Sequence, residues 1–253
     1  MINIKNLSFS YNQSKPILKD VSFSINDGEC VILLGPNGVG KSTLIKCILG
    51  VLNYKEGLIT YNDTDLKKMS SSERGKLLSF VPQLIDGNNL TVKDTIIAGR
   101  LPHFMIYPTK TDFEFVDDVI KKMGLEEIID KQTNEISGGE RQKCAIARAI
   151  AQDATTIIFD EPTSNLDINA QLSIVRIIKN YLKDKTRSSL ISMHDINLAL
   201  ELGDKFVFLK DEKIYKVCQK KDVTEDIIKD VYGVNIKIIN HNGKKVVVYE
   251  END

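Results

Sequence analysis

The sequence predicts an α/β fold with a mainly parallel core sheet, an antiparallel β subdomain and an inserted α-helical subdomain. Three observations point there. Apolar runs at Leu78–Val81, Thr155–Phe159, Ser188–Met193 and Lys205–Leu209 alternate with helical patterns, and strands buried on both faces between helices form parallel sheets. Ile2–Ser8 and Val21–Ile25 instead alternate apolar and polar residues, as half-buried antiparallel strands do. The stretch following Gln83 carries apolar residues at helical spacing.

In chain order, Asp27-Gly28 turns the chain into an apolar strand, Glu29–Leu34, that stops at Gly35. A helix over Lys41–Leu49 follows, closed by Gly50. Val92–Ala98 and Phe113–Met123 read as helices, with a loop around Leu101–Lys110 between them. From Asp222 onward the pattern is a short helix, Glu225–Tyr232, then strands Asn235–Ile239 and Lys244–Tyr249 joined at Asn242-Gly243. The expected division is a core of 1–83 with 153–220, a helical subdomain of 84–152, and a tail of 221–253.

Composition narrows the function classes. The 253 residues hold 34 Lys+Arg against 35 Asp+Glu, a net charge of -1, which offers no basic footprint for nucleic acid. No apolar run approaches the roughly 20 residues of a membrane-spanning helix, and Met1–Lys5 lacks the apolar core of a signal peptide. Cys30, Cys47, Cys144 and Cys218 lie scattered in apolar stretches, a spacing that favours reduced thiols over a metal clip or disulfide framework.

The strongest chemical signal is the run Gly35, Pro36, Asn37, Gly38, Val39, Gly40, Lys41, Ser42 and Thr43. It matches G-x-x-x-x-G-K-[ST] between a predicted strand and a predicted helix, the context in which that pattern forms a phosphate loop. The glycines let backbone N–H groups converge on one phosphate chain, and the helix start adds its positive dipole end. Lys41 reaches the outer phosphates, and the Ser42 hydroxyl is a hard oxygen ligand for Mg²⁺.

Thr156–Phe159 then runs into Asp160 and Glu161. Carboxylates at the carboxyl end of a parallel strand face the ligand edge of such sheets. Asp160 suits a Mg²⁺ role through water, and Glu161 suits orienting or deprotonating an attacking water. A third feature, Ser137-Gly138-Gly139-Glu140, opens a helix over Lys143–Ala151. It reads as an S-x-x-E capping box and equally as a second anion seat, though without a lysine of its own.

Taken in order, Gly35–Thr43, Gln83, Ser137–Glu140, Asp160-Glu161, Ser164–Asp167 and His194 resemble the nucleotide-binding subunits of ATP-binding cassette (ABC) transporters, a class of P-loop NTPases. The resemblance runs from Met1 to about Leu209. It implies two copies packed head to tail around two ATP molecules, with Ser137, Gly138 and Gly139 of one copy meeting the γ-phosphate held by the loop of the other. It also implies that Tyr11 stacks on adenine, Gln83 meets Mg²⁺ and the water, Asp167 lies at the dimer interface, and His194 contacts the γ-phosphate. Ile136, Glu140 and Lys143 depart from the family's commoner Leu, Gln and Arg without removing a ligand-contacting group.

Within the family, Gly99-Arg100-Leu101-Pro102-His103, Met193–Ala199 and Val231–Val234 are similar to importers of ferric siderophores, haem and cobalamin. That likeness implies a membrane permease docking near Arg100–His103, an extracytoplasmic solute-binding protein, and a place on the cytoplasmic face of the membrane. The competing expectation is a soluble ABC ATPase, such as one serving iron–sulfur cluster assembly. The solute itself contacts none of these residues.

Overall fold

The computed structural model describes residues 1–11, 15–183 and 185–249. The chain begins with strands β1 (Ile2–Phe9), β2 (Leu18–Ile25) and β3 (Cys30–Leu34), then helix α1 (Lys41–Ile48), β4 (Glu56–Tyr61) and β5 (Thr64–Asp65). Next come α2 (Ser71–Leu77), β6 (Leu78–Val81), α3 (Val92–Ile97), α4 (Lys110–Met123), α5 (Gly138–Ala151), β7 (Thr156–Asp160) and α6 (Ile168–Tyr181). The last third holds β8 (Ser188–Ser192), α7 (Ile196–Leu202), β9 (Lys205–Lys210), β10 (Lys213–Gln219), α8 (Glu225–Tyr232), β11 (Ile236–His241) and β12 (Lys244–Tyr249). These elements pack into two compact units, Met1–Lys68 with Asp184–Asp253, and Met69–Lys183.

In the first unit β1 lies between β2 and β4, antiparallel to both, and Ile2 faces Ile25 on one side and Tyr61 on the other. Irregular register at Ile4/Leu7 in the β1–β2 ladder breaks the strict alternation. In the unit's other sheet β3 runs parallel to both β8 and β9, and β10 closes the edge antiparallel to β9. All five residues of β3 are buried, which is why it reads in the sequence as an unbroken apolar run. In the second unit β6 and β7 pair in parallel, Leu78 with Thr156 through Val81 with Phe159. The helices pack their apolar faces inward; α5 buries Cys144, Ile146 and four alanines, Ala145, Ala147, Ala149 and Ala151.

Several boundaries differ from the sequence reading for identifiable reasons. The helix expected to end at Ala98 becomes a 3₁₀ turn from Ala98 to His103, so the loop begins only at Phe104. Close packing explains the tightening: a Cβ on Gly99 would sit 2.3 Å from the Arg148 carbonyl oxygen. Pro102 also lacks the N–H that an α-helix needs. Strands β4 and β10 escaped the pattern because β10 is an edge strand with no buried residue and β4 buries only Ile59 and Thr60. Residues 250–253 of the expected tail lie outside the described residues.

The four thiols are free, and three of them are buried. Burial pushes the Cys30 thiol up to about 12, so it stays protonated. Among the described residues no helix is long and apolar enough to cross a membrane.

Candidate functional site

In the first unit the phosphate-loop sequence connects β3 to α1. The chain leaves β3 at Gly35, where a Cβ would lie 2.5 Å from the Leu209 carbonyl oxygen, so only glycine fits against β9. Gly40 caps α1 with φ 110, in the left-handed region, and offers no side-chain acceptor. The other α-helices among the described residues, α2 to α8, each have a Ser, Thr or Asp cap accepting a first-turn N–H. The first-turn donors of α1 are therefore the ones the chain does not cap with a side chain, and an anionic oxygen suits them. The space over Gly38 is open, with nothing within 4 Å of a Cβ built there. These two observations fit a phosphate chain.

Lys41 is buried, and its ammonium donates to the Gly35 carbonyl at 2.8 Å and the Pro36 carbonyl at 3.2 Å. The lysine thus closes the curl of the loop from within, and Asn37 and Val39 lie in the arc so formed, with the Val39 N–H donating to Pro36 O at 3.4 Å. Ser42 follows in the first turn of α1. Thr43 Oγ1 lies 3.4 Å from the Tyr11 hydroxyl. Tyr11 is 58% exposed and braced at right angles by Phe9, with ring centroids 5.0 Å apart. An exposed aromatic ring tied to the start of the phosphate-loop helix is suited to stacking on a base.

His194 comes from the neighbouring strand. Leu33 pairs with Ser192 across β3 and β8, so Gly35 and His194 each follow two residues later at the same sheet edge. Asp195 then caps α7 through the Leu198 N–H.

The second unit repeats this device. Val81 pairs with Phe159, and two residues beyond them stand Gln83 and Glu161. Gln83 Nε2 donates to Glu161 Oε2 at 2.7 Å. Glu161 takes φ 50, and its carbonyl accepts from Ser164 N at 3.1 Å and Ser164 Oγ at 2.9 Å. Asp160 and Glu161 are both buried. A buried carboxylate oriented by an amide is equipped to hold and deprotonate a water. Because Gln83 donates through nitrogen, its Oε1 is a hard oxygen of the kind that could hold Mg²⁺, as is the Asp160 carboxylate of the same unit; in the first unit the Ser42 hydroxyl is an oxygen of that chemical class.

Ser137 caps α5 in a reciprocal box: its N–H and hydroxyl donate to Glu140 Oε2 at 2.8 and 2.7 Å, and Glu140 N donates back to Ser137 Oγ. The hydroxyl and then the N–H of Ser137 hold the Glu140 carboxyl below its ordinary range. Gly138 faces open space, whereas a Cβ on Gly139 would meet Ala170 Cβ at 3.3 Å, so the start of α5 abuts α6. Asp167 caps α6 through Ala170 N at 2.8 Å.

Arg100, expected near a permease docking site, is held inside the second unit. Its side chain is only 11% exposed and points into the unit. The guanidinium donates to Asp112 Oδ1 at 2.9 Å and Ala151 O at 3.0 Å, and lies over the Phe115 ring. His103 bonds Gln152 O at 2.8 Å. This element is an internal tie between α4 and the end of α5, and what it exposes nearby is apolar: Leu101, Met105, Ile106 and Tyr107. One contact to the phosphate loop went unforeseen: the Gly35 N–H donates to the Tyr232 hydroxyl at 2.9 Å. In the sequence Tyr232 stood only as the end of the expected helix Glu225–Tyr232 and within the Val231–Val234 likeness.

Residues 18–164, more than half of the chain, match the family model described as ABC transporter. An uncharacterized ABC transporter ATP-binding protein of Methanocaldococcus jannaschii is 41% identical over 248 residues, covering 98% of this chain and 97% of that protein. The petrobactin import ATP-binding protein of Bacillus subtilis is 31% identical over 251 residues, covering 98% and 99%. Among solved structures, an ATP-binding cassette in a dimeric post-hydrolysis state bound to ADP and Pi is similar, with a TM-score of 0.77, 25% identity, and coverage of 88% of this chain and 100% of that one. The chain belongs to the ABC transporter family and is one of its ATP-hydrolysing members.

Proposed function

We propose that this chain is the ATPase subunit of an ABC importer that moves a metal chelate (a ferric siderophore, haem or cobalamin) through a separate membrane permease. The observation that carries the importer reading is the similarity, along 98% of the chain, to a relative named for petrobactin import. That likeness favours transport over the iron–sulfur assembly alternative. The permease would dock on the second unit near residues 100–107, where Leu101, Met105, Ile106 and Tyr107 are exposed and Arg100 shapes the element from inside. The chain would then sit on the cytoplasmic face of the membrane, and an extracytoplasmic solute-binding protein would deliver the cargo.

In this reading two copies pair head to tail, as the dimeric cassette structure supports by similarity. Gly35–Thr43 holds the ATP phosphates, Tyr11 stacks on adenine, and Ser137 to Gly139 of the second copy close over the γ-phosphate. Glu161, oriented by Gln83, takes a proton from the attacking water, while Lys41 and His194 stabilise charge on the transferring phosphoryl group. Mg²⁺, held through Ser42, Asp160 and Gln83, would neutralise phosphate charge. When phosphate leaves, the bond to Ser137 is lost and the copies part. That difference in contacts between states is what drives the permease.

The test is affinity purification of the tagged chain from native membranes. Recovery of a protein with many membrane spans, whose vesicles take up one of the three chelates only with ATP, is the expected result. Recovery of soluble iron–sulfur assembly proteins in its place overturns the importer reading.

A further inference from the structure

The C-terminal segment from α8 to β12 lies outside the matched family region, yet it reaches the root of the phosphate loop. Gly35 is the first residue beyond β3, wedged against Leu209 O. Its N–H is the first main-chain donor past the strand, and it is met by the Tyr232 hydroxyl at 2.9 Å, across 197 positions of sequence. Burial, above all, pushes the Tyr232 hydroxyl up to about 12, so it stays a neutral phenol. Tyr232 ends α8, and the segment carrying it is fastened at several points. Ile238 N donates to Glu225 Oε1 at 2.7 Å, tying β11 to α8. Asn197 forms a two-bond amide clamp with Val247, at 3.1 and 2.7 Å, tying β12 to the first turn of α7. Tyr215 and Asp230 share a further hydrogen bond, between β10 and α8.

We propose that Tyr232 is a positioning residue for nucleotide binding: its hydroxyl fixes the Gly35 hinge, and so the tilt of the whole phosphate loop. The proposal rests on the reading of Gly35–Thr43 as the ATP phosphate seat. A hydroxyl held by a fastened segment sets the direction of the Gly35 peptide. Removing it leaves a main-chain donor unsatisfied and frees the loop to turn away from its phosphate-binding curl.

The experiment uses the purified full chain with a fluorescent ADP analogue as probe, comparing Tyr232→Phe, Tyr215→Phe and Lys41→Ala with the parent. Tyr232→Phe keeps the ring and deletes only the oxygen. It should weaken binding about 3- to 10-fold, the effect of one neutral hydrogen bond, and raise the KM for ATP by the same factor. The kcat should stay within about twofold of the parent, the split expected of lost binding. Hydrogen exchange at the Gly35 amide should accelerate in the nucleotide-free protein. Tyr215→Phe loosens the same helix without touching Gly35 and should leave binding unchanged. If Lys41→Ala loses binding but Tyr232→Phe does not change it, the positioning role is wrong. If Tyr215→Phe weakens binding as much as Tyr232→Phe, the effect belongs to the tail's stability and the role is again wrong. If Lys41→Ala binds like the parent, the phosphate seat itself is misassigned and the proposal falls with it.

Discussion

Gln83 and Glu161, 78 positions apart, are joined by a 2.7 Å hydrogen bond at the ends of two parallel strands. The bond leaves Glu161 buried but oriented, with one carboxylate oxygen engaged. Replacing Glu161 with Gln keeps the size, and the Gln83 amide still finds an oxygen to donate to, so the fold should be undisturbed. Hydrolysis should slow about 10²- to 10⁴-fold, the range for a general base, while ATP stays bound and the dimer stays closed. Single-turnover phosphate release beside gel filtration with ATP measures both; normal turnover would remove Glu161 from the mechanism.

Gly138 gives a probe of the proposed second anion seat that spares the monomer. Nothing lies within 4 Å of a Cβ at this position, and its φ is not in the left-handed region. An Asp there also favours the start of α5, by about 0.3–1 kcal/mol. Gly138→Asp should therefore match or exceed the parent in thermal stability while ATPase activity falls about 10²- to 10³-fold, the cost of spoiling an anion hole. An active variant would show that this helix start does not meet phosphate.

Mixing two inactive variants separates a shared site from a self-contained one. In a Lys41→Ala copy paired with a Gly138→Asp copy, one nucleotide site collects both defects and the other collects neither. Activity should reappear on mixing, in proportion to the heterodimer formed. If each copy carried a complete site, mixing would restore nothing.

Asp112 links acid stability to the Arg100 tie. The Thr109 hydroxyl and N–H, followed by the Arg100 guanidinium, hold its carboxyl well below the ordinary 3.8, at about 2. A depressed carboxylate contributes stability above its unfolded value and loses it as pH falls through the folded one. Asp112→Asn should thus cost about 1–2 kcal/mol at pH 7, and the gap to the parent should close between pH 3.8 and 2. Denaturant melts across that window measure it; a gap unchanged at pH 2 would mean the ionised form is not what matters.

Much of this architecture was readable in advance because burial writes itself into the chain. β3 and β7 are buried along their whole length, so their apolar runs stood out, and the phosphate-loop glycines marked where β3 stops. β10 left no such trace because it lies at an edge facing water. The inward tie of Arg100 was not legible, because its partner Asp112 is twelve positions on. The Thr109–Asp112 capping box was the available clue that α4 starts at Lys110 and that the Asp112 carboxyl turns back onto its cap. The contact between Tyr232 and Gly35 had no local signature at all, since it depends on how α8 returns to the sheet.

The capping box at Ser137 carries a consequence for how the paired state is entered. A serine hydroxyl has a single proton to give, and here it is already committed to Glu140. In the proposed head-to-tail pair, gripping a nucleotide on the facing copy would therefore mean swapping one negative partner for another. On that proposal a solitary copy keeps its own placeholder in the seat, and only an incoming phosphate that outcompetes a tethered carboxylate would dislodge it.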